Sequence, residues 1–303
     1  MAEVEALCEV RYASAVELPT ALAGADVLFM WDFLSRALER AWPSADRLRW
    51  IHQAGAGVDR ILLPGVVESD VVVTNSRNVF DRSIAEYVLG LVLAFAKDTA
   101  RTLDLQRRHT WRHRDTEMVD GRNAVVVGVG PIGRETARLL RGVGMSVRGV
   151  GRTARAGDGD FGEIVASADL HVTLRDADYV VIAAPLTEST TGMFDAAAFE
   201  AMRPTARLVN IGRGEIVVER ELVDALASGR IAGAALDVFE TEPLPDDSPL
   251  WDMPNVVVSP HMSADFVGWL DALAEVFVDN FRRWHAGEPL RNVVDKELGY
   301  VAS

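Results

Sequence analysis

Short apolar runs alternate with helical patterns along most of the chain. The runs that read as buried strands cover residues 25–30, 48–55, 71–75, 123–130, 145–151, 179–184, 206–212 and 256–260. Because they are apolar at nearly every position and are separated by segments of helical period, they indicate parallel sheets covered by helices on both faces. The pattern predicts an α/β fold with two doubly wound parallel sheets.

The strands fall into two groups separated by a long helical segment, and the second group starts at Asn123. A domain boundary therefore belongs between the groups. We assign residues 1–97 together with residues 268–303 to one domain, and residues 98–267 to the other.

Two long helical patterns flank the second group of strands. The first has Ser83 as a candidate N-cap with Glu86 three residues later, the spacing of a capping box. Residues 84–96 are so apolar that they must be buried, either under their own sheet or against another subunit. The second pattern, residues 266–287, ends at Gly287. The first domain is discontinuous in sequence if this helix packs back onto it.

Composition excludes several classes of protein. The 303 residues are 49% hydrophobic and 25% charged, a balance typical of a globular protein. The single cysteine, Cys8, excludes an internal disulfide and a cysteine-based zinc site, which favours a cytoplasmic location. An acidic N-terminal segment without a long apolar run argues against a secretory signal and a membrane span. A net charge of −14 argues against nucleic acid as a partner.

A glycine-rich motif, GVGPIG, follows the apolar run NAVVV and precedes a helical pattern. In that context Gly128 permits a tight turn, Gly130 lets a pyrophosphate approach the backbone, and Gly133 lets helix pack on strand. Pro131 and Ile132 belong to the same turn, and the amides at the start of the helix face the anion. The motif predicts a dinucleotide-binding site of the Rossmann type.

The strand at 145–151 ends where a carboxylate would normally bind the ribose 2′-hydroxyl of NAD, but Arg152 stands there. Arg152 and Arg155 would attract a 2′-phosphate, and Thr153 adds a hydroxyl donor. This predicts NADP(H) as the cofactor, with NAD(H) as the alternative if the two arginines are solvated surface charges. Residues 154–163, rich in glycine, are predicted to form a surface loop.

Motifs along nearly the whole chain resemble those of the D-isomer-specific 2-hydroxyacid dehydrogenases, in particular the NADPH-preferring glyoxylate/hydroxypyruvate reductases. The motifs are AGAGVD (54–59), SIAEYVLGLVLA (83–94), GVGPIG, APLTESTTGMF (184–194), and NIGRG, FETEPL and SPH within 205–261. The resemblance implies a Rossmann cofactor domain inserted into a flavodoxin-like substrate, or lid, domain. It also implies a homodimer.

The resemblance further implies a catalytic trio that acts on a small 2-keto acid. Arg213 would bind the substrate's carboxylate and carbonyl oxygen, because a planar guanidinium can orient both. His261 would protonate the developing alkoxide, and would act as the base in the reverse direction. Glu242 would stabilise the imidazolium and fix its ring. The alternative is a site that has lost its activity, although all three residue types are intact.

Other positions carry over from the resemblance by motif. The backbone amides of Ala56, Gly57 and Val58 would bind the substrate carboxylate, since small residues let consecutive amides point at an anion. A plain turn at a strand end is the alternative for this segment.

Further cofactor contacts are implied in the same way. Pro185 and Thr190 would lie along the adenosine and pyrophosphate, Ile211 beside the nicotinamide ribose, and Asp237 near the carboxamide. Asp237 and Glu240 flank the candidate acid, and the family pattern selects Glu242 as the partner of His261.

Two other functions stay open from the sequence. The first is an NAD-dependent dehydrogenase of lactate, phosphoglycerate or phosphite, against which Arg152 and Arg155 argue. The second is a dinucleotide-sensing scaffold similar to corepressors of this fold, which would bind NAD(H) and recruit peptides.

Overall fold

The computed structural model describes residues 1–302, and their contacts divide the chain into two compact units. The first unit is Met1–Val79 with the segment that starts at Phe266, and the second is Phe80–Asp265. The sequence placed the first boundary later, after residue 97. The helix just before that residue belongs to the second unit by its contacts. The substrate and cofactor roles of the two units stay predictions.

The first unit contains a small parallel sheet at predicted positions. Its strands are β1 (Val27–Met30), β2 (Trp50–Gln53) and β3 (Val72–Asn75), in the order β1-β2-β3. Its helices are α1 (Ala2–Leu7), α2 (Leu18–Leu22), α3 (Ala37–Ala41), α4 (Pro64–Glu68) and α11 (Trp269–Ala286). Because this strand order never reverses, the double winding predicted for the first domain is not seen among the described residues.

The second unit is built on an eight-stranded sheet. Its strands are β4 (Asn123–Val127), β5 (Ser146–Gly151), β6 (Arg155–Asp158), β7 (Gly162–Ala166), β8 (Tyr179–Ile182), β9 (Arg207–Asn210), β10 (Gly233–Leu236) and β11 (Val256–Val258). Its helices are α5 (Asp81–Ala96), α6 (Thr99–Arg107), α7 (Pro131–Gly142), α8 (Leu170–Leu174), α9 (Ala196–Ala201) and α10 (Glu219–Ala227). The predicted α/β class is therefore confirmed.

The strand order β11-β10-β9-β8-β4-β5-β7-β6 reverses direction at β4. From β4 the chain runs outward through β5, and it later returns beside β4 with β8 and continues to the opposite edge. All neighbouring pairs are parallel except β6 and β7. Sheets of this kind bind ligands at the carboxyl ends of the strands where the order reverses. A dinucleotide site is thus expected beside the ends of β4 and β8.

The predicted surface loop at 154–163 is wrong, because most of it forms the antiparallel hairpin β6–β7. Glycine and aspartate are poor strand formers, so local propensity favours a loop here. Contacts made by the side chain of Asp158 with α7 and with the hairpin backbone stabilise the strand pair instead.

Helix α5 differs from the prediction at its start. It begins at Asp81 after Phe80, without a side-chain cap, whereas Ser83 lies inside its first turn. One face of α5 is buried, and its neighbour in the second unit is α7. This supports the interpretation of α5 as a core helix on that face.

Both faces of the large sheet are covered by apolar side chains. Valines of β4 and β8 are almost fully buried, and the helix residues Leu140, Phe199 and Leu222 pack over the sheet. Each such side chain contributes about 1.5 to 3 kcal/mol when it leaves water, so this core fixes the strand ends in place. Within residues 1–302, no helix is both long and apolar enough to span a bilayer.

Candidate active site

Three adjacent strands deliver the predicted catalytic residues to one edge of the sheet. Asn210 of β9 pairs with Leu236 of β10, and Leu236 pairs with Val258 of β11. The chain leaves these strands in the same direction because they are parallel. Arg213 follows β9, Glu242 follows β10 and His261 follows β11. Neighbouring strand ends thus supply three groups that are far apart in sequence.

The loop that carries Arg213 is shaped by Asn210. The Asn210 amide donates to the Arg213 carbonyl over 3.0 Å, and its side-chain oxygen accepts the Gly212 N–H over 3.1 Å. A Cβ on Gly214 would lie 1.8 Å from the Phe239 carbonyl carbon, so only glycine fits there. The Arg213 guanidinium also donates to the Gly212 carbonyl over 2.8 Å. The loop therefore holds the base of the arginine while its side chain remains partly exposed.

His261 and Glu242 form a direct pair. The Nδ1 atom of His261 lies 3.0 Å from the Glu242 Oε2 atom, and the two side chains are 19% and 17% exposed. The other carboxylate oxygen of Glu242 accepts the Phe239 N–H over 3.2 Å. This arrangement turns the Nε2 atom away from the carboxylate, so the two ring nitrogens have different surroundings.

Asp237 organises the segment that contains His261. Its buried carboxylate accepts the Ser259 hydroxyl over 2.7 Å and the N–H groups of Met262 and Ser263, each over 2.9 Å. The Asp237 carbonyl accepts the N–H of His261 over 2.8 Å, where the backbone is left-handed with φ of 52°. These bonds hold an uncommon backbone conformation in place. The predicted contact of Asp237 with the carboxamide stays a prediction.

Two more titratable groups surround this segment. Burial, followed by the charge of Asp237, raises the pKa of the Asp265 carboxyl, while the charge of His261 lowers it. Burial also raises the pKa of the Tyr87 hydroxyl, although a hydrogen bond with Ser259 opposes that shift. The segment therefore combines a histidine with several acidic groups in a partly dehydrated environment.

The glycine turn lies between β4 and α7 as predicted. Gly128 has φ of 108°, and a Cβ there would lie 2.5 Å from the Ala183 carbonyl carbon. A Cβ on Gly133 would lie 1.9 Å from the Gly128 oxygen, whereas Gly130 has open space at that position. Pro131 starts α7 and Ile132 follows, and no side chain caps the helix.

These features fit a pyrophosphate. The open side of Gly130 admits an anion, and the first amides of α7 have no acceptor within the helix itself.

Arg152 and Thr153 follow the carboxyl end of β5, and Arg155 begins β6. The Arg155 Nη2 atom donates to Asp158 Oδ2 over 3.1 Å, and its side chain is 57% exposed. In the sheet Arg155 pairs with Ile164 of β7, which in turn pairs with Gly149 of β5. Binding of a 2′-phosphate by these residues stays a prediction.

The loop after β8 contains Pro185 and Thr190. The Thr190 hydroxyl donates to the Pro185 carbonyl over 2.7 Å and accepts the Thr187 N–H over 2.8 Å. The threonine side chain therefore closes its own loop beside the glycine turn. Ile211 follows β9 and is almost fully buried. Cofactor contacts for these three residues stay predictions.

Ala56, Gly57 and Val58 lie after β2 in the first unit. The Asn75 side chain donates to the Ala56 carbonyl, and Val58 is buried. Ala56 and Gly57 are partly exposed, as an anion-binding turn requires. Their role as a substrate anchor stays a prediction.

Sequence reasoning missed Asp158, and it gave Asp237 only a cofactor contact and not its role in holding the histidine segment. Asp237 holds the histidine segment, and Asp158 holds the hairpin that carries Arg155. In the sequence, Asp158 is distinguished only by its position in a glycine-rich stretch after Arg155, which is a weak indication of a structural role. Asn210, the first residue of NIGRG, was missed as well and could have been identified as a turn former.

Comparison with known proteins identifies the family. The model of the D-isomer specific 2-hydroxyacid dehydrogenase NAD-binding domain matches residues 89–263. The glyoxylate reductase of Korarchaeum cryptofilum is 33% identical over 84% of this chain and 78% of its own length. Glyoxylate/hydroxypyruvate reductase A of Serratia proteamaculans is 32% identical over 84% of this chain and 82% of its own length.

A solved structure gives the same result. The NADPH-dependent glyoxylate/hydroxypyruvate reductase of Sinorhizobium meliloti, in complex with NADP and sulfate, superimposes with a TM-score of 0.81. It is 33% identical, and the match covers 92% of this chain and 87% of that one. The family model covers more than half of the chain and includes the glycine turn and the residues Arg213, Glu242 and His261. The protein is therefore an oxidoreductase and belongs to the D-isomer-specific 2-hydroxyacid dehydrogenase family.

Proposed function

We propose that the protein reduces a small 2-keto acid, of the glyoxylate or hydroxypyruvate type, to the D-2-hydroxy acid with NADPH. The observation that carries this proposal is the pair of His261 and Glu242 beside the strand end that carries Arg213. The relatives named glyoxylate reductase support the substrate class.

Arg213 would orient the substrate. A 2-keto acid places a carboxylate next to a polarised carbonyl, and a guanidinium has donors in one plane that can reach both. The turn built by Asn210 and Gly214 fixes the arginine backbone, so less freedom is lost when substrate binds. When bound, a reduced nicotinamide supplies the hydride for such a carbonyl.

His261 would deliver the proton to the carbonyl oxygen. With Nδ1 directed at Glu242, the Nε2 atom is the nitrogen that is left for substrate. The carboxylate stabilises the imidazolium and keeps the ring in one orientation. A histidine held in this way acts as a general acid in reduction and as a base in the reverse direction.

NADPH is supported by two observations. The position that carries a carboxylate in NAD-binding domains of this kind is Arg152, and Thr153 and Arg155 follow it. The related Sinorhizobium meliloti reductase is a complex with NADP. NADH stays the alternative cofactor, since the matched family model is named for NAD binding.

Steady-state kinetics with a panel of 2-keto acids and both reduced nucleotides test the proposal. We expect the highest kcat/KM with glyoxylate or hydroxypyruvate and NADPH.

The variant His261→Ala should lose about a hundredfold or more in turnover, because the general acid is gone. His171→Ala is the matched control, since that histidine is exposed on α8 and lies outside the trio. Near-normal turnover of His261→Ala would remove the histidine from the mechanism.

A phosphoglycerate dehydrogenase is the second candidate function. The Methanocaldococcus jannaschii enzyme of that name is 29% identical, and the match covers 83% of this chain but only 48% of its own length. The same panel separates the candidates, since a phosphoglycerate enzyme would oxidise 3-phosphoglycerate with NAD⁺ and leave glyoxylate untouched.

We also propose that the protein is a homodimer. The side chain of Trp111 is 93% exposed, and Met118 nearby is exposed as well. Large apolar side chains in one exposed segment often mark a protein interface. Sedimentation velocity should report a dimer for the wild type and a monomer for Trp111→Asp, and a monomeric wild type would contradict the proposal.

A further inference from the structure

Three arginines of α7 hold the turn of the hairpin β6–β7. Arg134, Arg138 and Arg141 lie on one face of the helix, at spacings that bring side chains together. Arg138 contacts Asp160 over 2.8 and 3.1 Å, and Arg141 donates to the carbonyls of residues 159 and 160. The helix that starts at the glycine turn is thereby tied to the hairpin that follows β5.

Asp158 is the centre of this arrangement. Arg134 donates to both of its carboxylate oxygens over 3.0 Å, in a bidentate contact. Its Oδ1 atom also accepts the N–H groups of Asp160 and Phe161. The hydrogen bonds from Arg134 are the largest cause that holds the pKa of the Asp158 carboxyl well below its usual range, and burial opposes them. The carboxylate is therefore ionised and well compensated.

The same carboxylate accepts a hydrogen bond from Arg155. The Nη2 atom of Arg155 lies 3.1 Å from Asp158 Oδ2, within a side chain that is otherwise mostly exposed. An exposed arginine samples many rotamers, and their loss on binding costs conformational entropy. Contact with Asp158 restricts those rotamers before any ligand arrives.

We propose that Asp158 is a positioning residue for cofactor selection, which holds Arg155 ready for the 2′-phosphate of NADP(H). This rests on the proposed function, because it requires NADP(H) as the cofactor. Asp158 does not touch the cofactor in this proposal. It acts through Arg155 and therefore affects only nucleotides that carry the 2′-phosphate.

The charges around Asp158 determine whether it strengthens or weakens the binding of NADP(H). A lone carboxylate beside Arg155 would compete with the phosphate for the guanidinium. The bidentate contact with Arg134 compensates that carboxylate, and a phosphate monoester carries about −1.5 to −2 at neutral pH. The restriction of Arg155 therefore outweighs the competition, and Asp158 favours binding of the phosphorylated nucleotide.

The link through Arg134 adds a second consequence. Arg134 directly follows Gly133 of the glycine turn. The residue that donates to Asp158 therefore belongs to the first turn of α7. The pyrophosphate and the 2′-phosphate of one nucleotide would then be bound by two segments at a fixed spacing. Two binding segments that are held at a fixed spacing lose less conformational freedom when the nucleotide binds than two independent loops would lose.

Calorimetric titration of NADP⁺ and NAD⁺ tests this inference without turnover. For Asp158→Asn we expect the dissociation constant of NADP⁺ to rise roughly three- to tenfold, the range for one weakened hydrogen bond. The dissociation constant of NAD⁺ should stay the same. Asp160→Asn is the matched control, because Asp160 also anchors the hairpin to α7, and none of its hydrogen bonds among residues 1–302 involves Arg155. It should keep the wild-type ratio of the two constants.

A double-mutant cycle separates positioning from a general structural role. In an Arg155→Ala background, Asp158→Asn should no longer change the affinity for NADP⁺, because the residue it positions is absent. A persistent loss in that background would overturn the inference, and so would equal losses for NADP⁺ and NAD⁺ in the single variant. A wild-type protein that binds both nucleotides equally would overturn the proposed cofactor as well. A clear wild-type preference that Asp158→Asn leaves intact would overturn the inference alone.

Discussion

The Nδ1 atom of His261 lies 3.0 Å from the Oε2 atom of Glu242, and the second oxygen of that carboxylate is held by the backbone of Phe239. The loop after β10 therefore holds the Glu242 carboxylate in place. That carboxylate in turn holds the imidazole of His261, which lies in the loop after β11. This arrangement suits the proposed role of His261 as a general acid, since a ring held in this way does not need to be reoriented when it loses and regains a proton.

Glu242→Gln should lower kcat by about 10- to 100-fold, the loss expected for one hydrogen bond to a charged group. The amide oxygen of glutamine can still accept a hydrogen bond from Nδ1, but it carries no charge to stabilise the imidazolium. Measurement of kcat and KM for the 2-keto acid gives the result, and KM should change less than kcat.

Glu240→Gln is the control for that variant. Glu240 lies two residues away and is exposed, and its carboxylate accepts the backbone N–H of Glu219 instead. We expect wild-type kcat for this variant. An equal loss in both variants would mean that the acidic character of the loop matters, and the specific pair with His261 does not.

The strands were predictable from the sequence where the physical signal is local. Residues of β4 and β8 are apolar at nearly every position, since both faces of the sheet are buried. The glycine turn was predictable for a similar reason, because backbone contacts at Gly128 and Gly133 admit no side chain.

The features that were missed depend on partners distant in sequence. The hairpin β6–β7 is stabilised by the contact of Asp158 with Arg134, which no local propensity encodes. The hydrogen bonds of Asp237 are of the same kind, since its partners lie after the next strand. The α5 start at Asp81 was missed because Ser83 and Glu86 matched a capping box that the helix does not use.

The glycine turn allows a matched pair of substitutions. Gly130→Ala adds a Cβ into open space, so we expect near wild-type stability together with weaker nucleotide binding. Gly128→Ala places its Cβ against the backbone of Ala183 at a positive φ, so we expect a lower free energy of unfolding. Thermal unfolding and nucleotide titration separate the two effects. Unchanged nucleotide affinity in a folded Gly130→Ala variant would contradict the assignment of the turn to the pyrophosphate.

A charge reversal at Arg152 tests the cofactor assignment. Arg152→Asp should weaken NADPH binding by about 1 to 3 kcal/mol, because a charge-assisted contact is lost. NADH binding should improve or stay the same, since an aspartate there can accept from the ribose hydroxyl. The ratio of kcat/KM values for the two nucleotides measures the change.

Arg148→Asp is the control for that reversal. Arg148 lies on the same strand, β5, with a half-exposed side chain that lies 3.8 Å from Glu163. It changes the net charge by the same amount at a position away from the strand end. If both variants lower NADPH affinity equally, then the long-range charge of the domain explains the effect and Arg152 has no direct contact.

His52 should make the stability of the first unit depend on pH. Its ring is fully buried on β2, with Nδ1 2.7 Å from the Thr74 hydroxyl, and burial lowers the pKa of His52 to about 3. In the unfolded chain a histidine takes up a proton near pH 6.5, whereas the folded chain stays neutral until about pH 3. Between these values the unfolded state binds more protons, so stability falls as the pH falls.

The size of this effect can be measured with a variant that cannot titrate. Where the unfolded chain binds one proton more than the folded chain, the free energy of unfolding changes by about 1.4 kcal/mol per pH unit. His52→Asn places an amide near the Thr74 hydroxyl and should lose that slope between pH 6 and about 4 in urea unfolding experiments. His171→Asn removes an exposed histidine and should keep the slope. Identical pH profiles for wild type and His52→Asn would show that the buried ring is protonated without cost, contrary to its desolvation in the core.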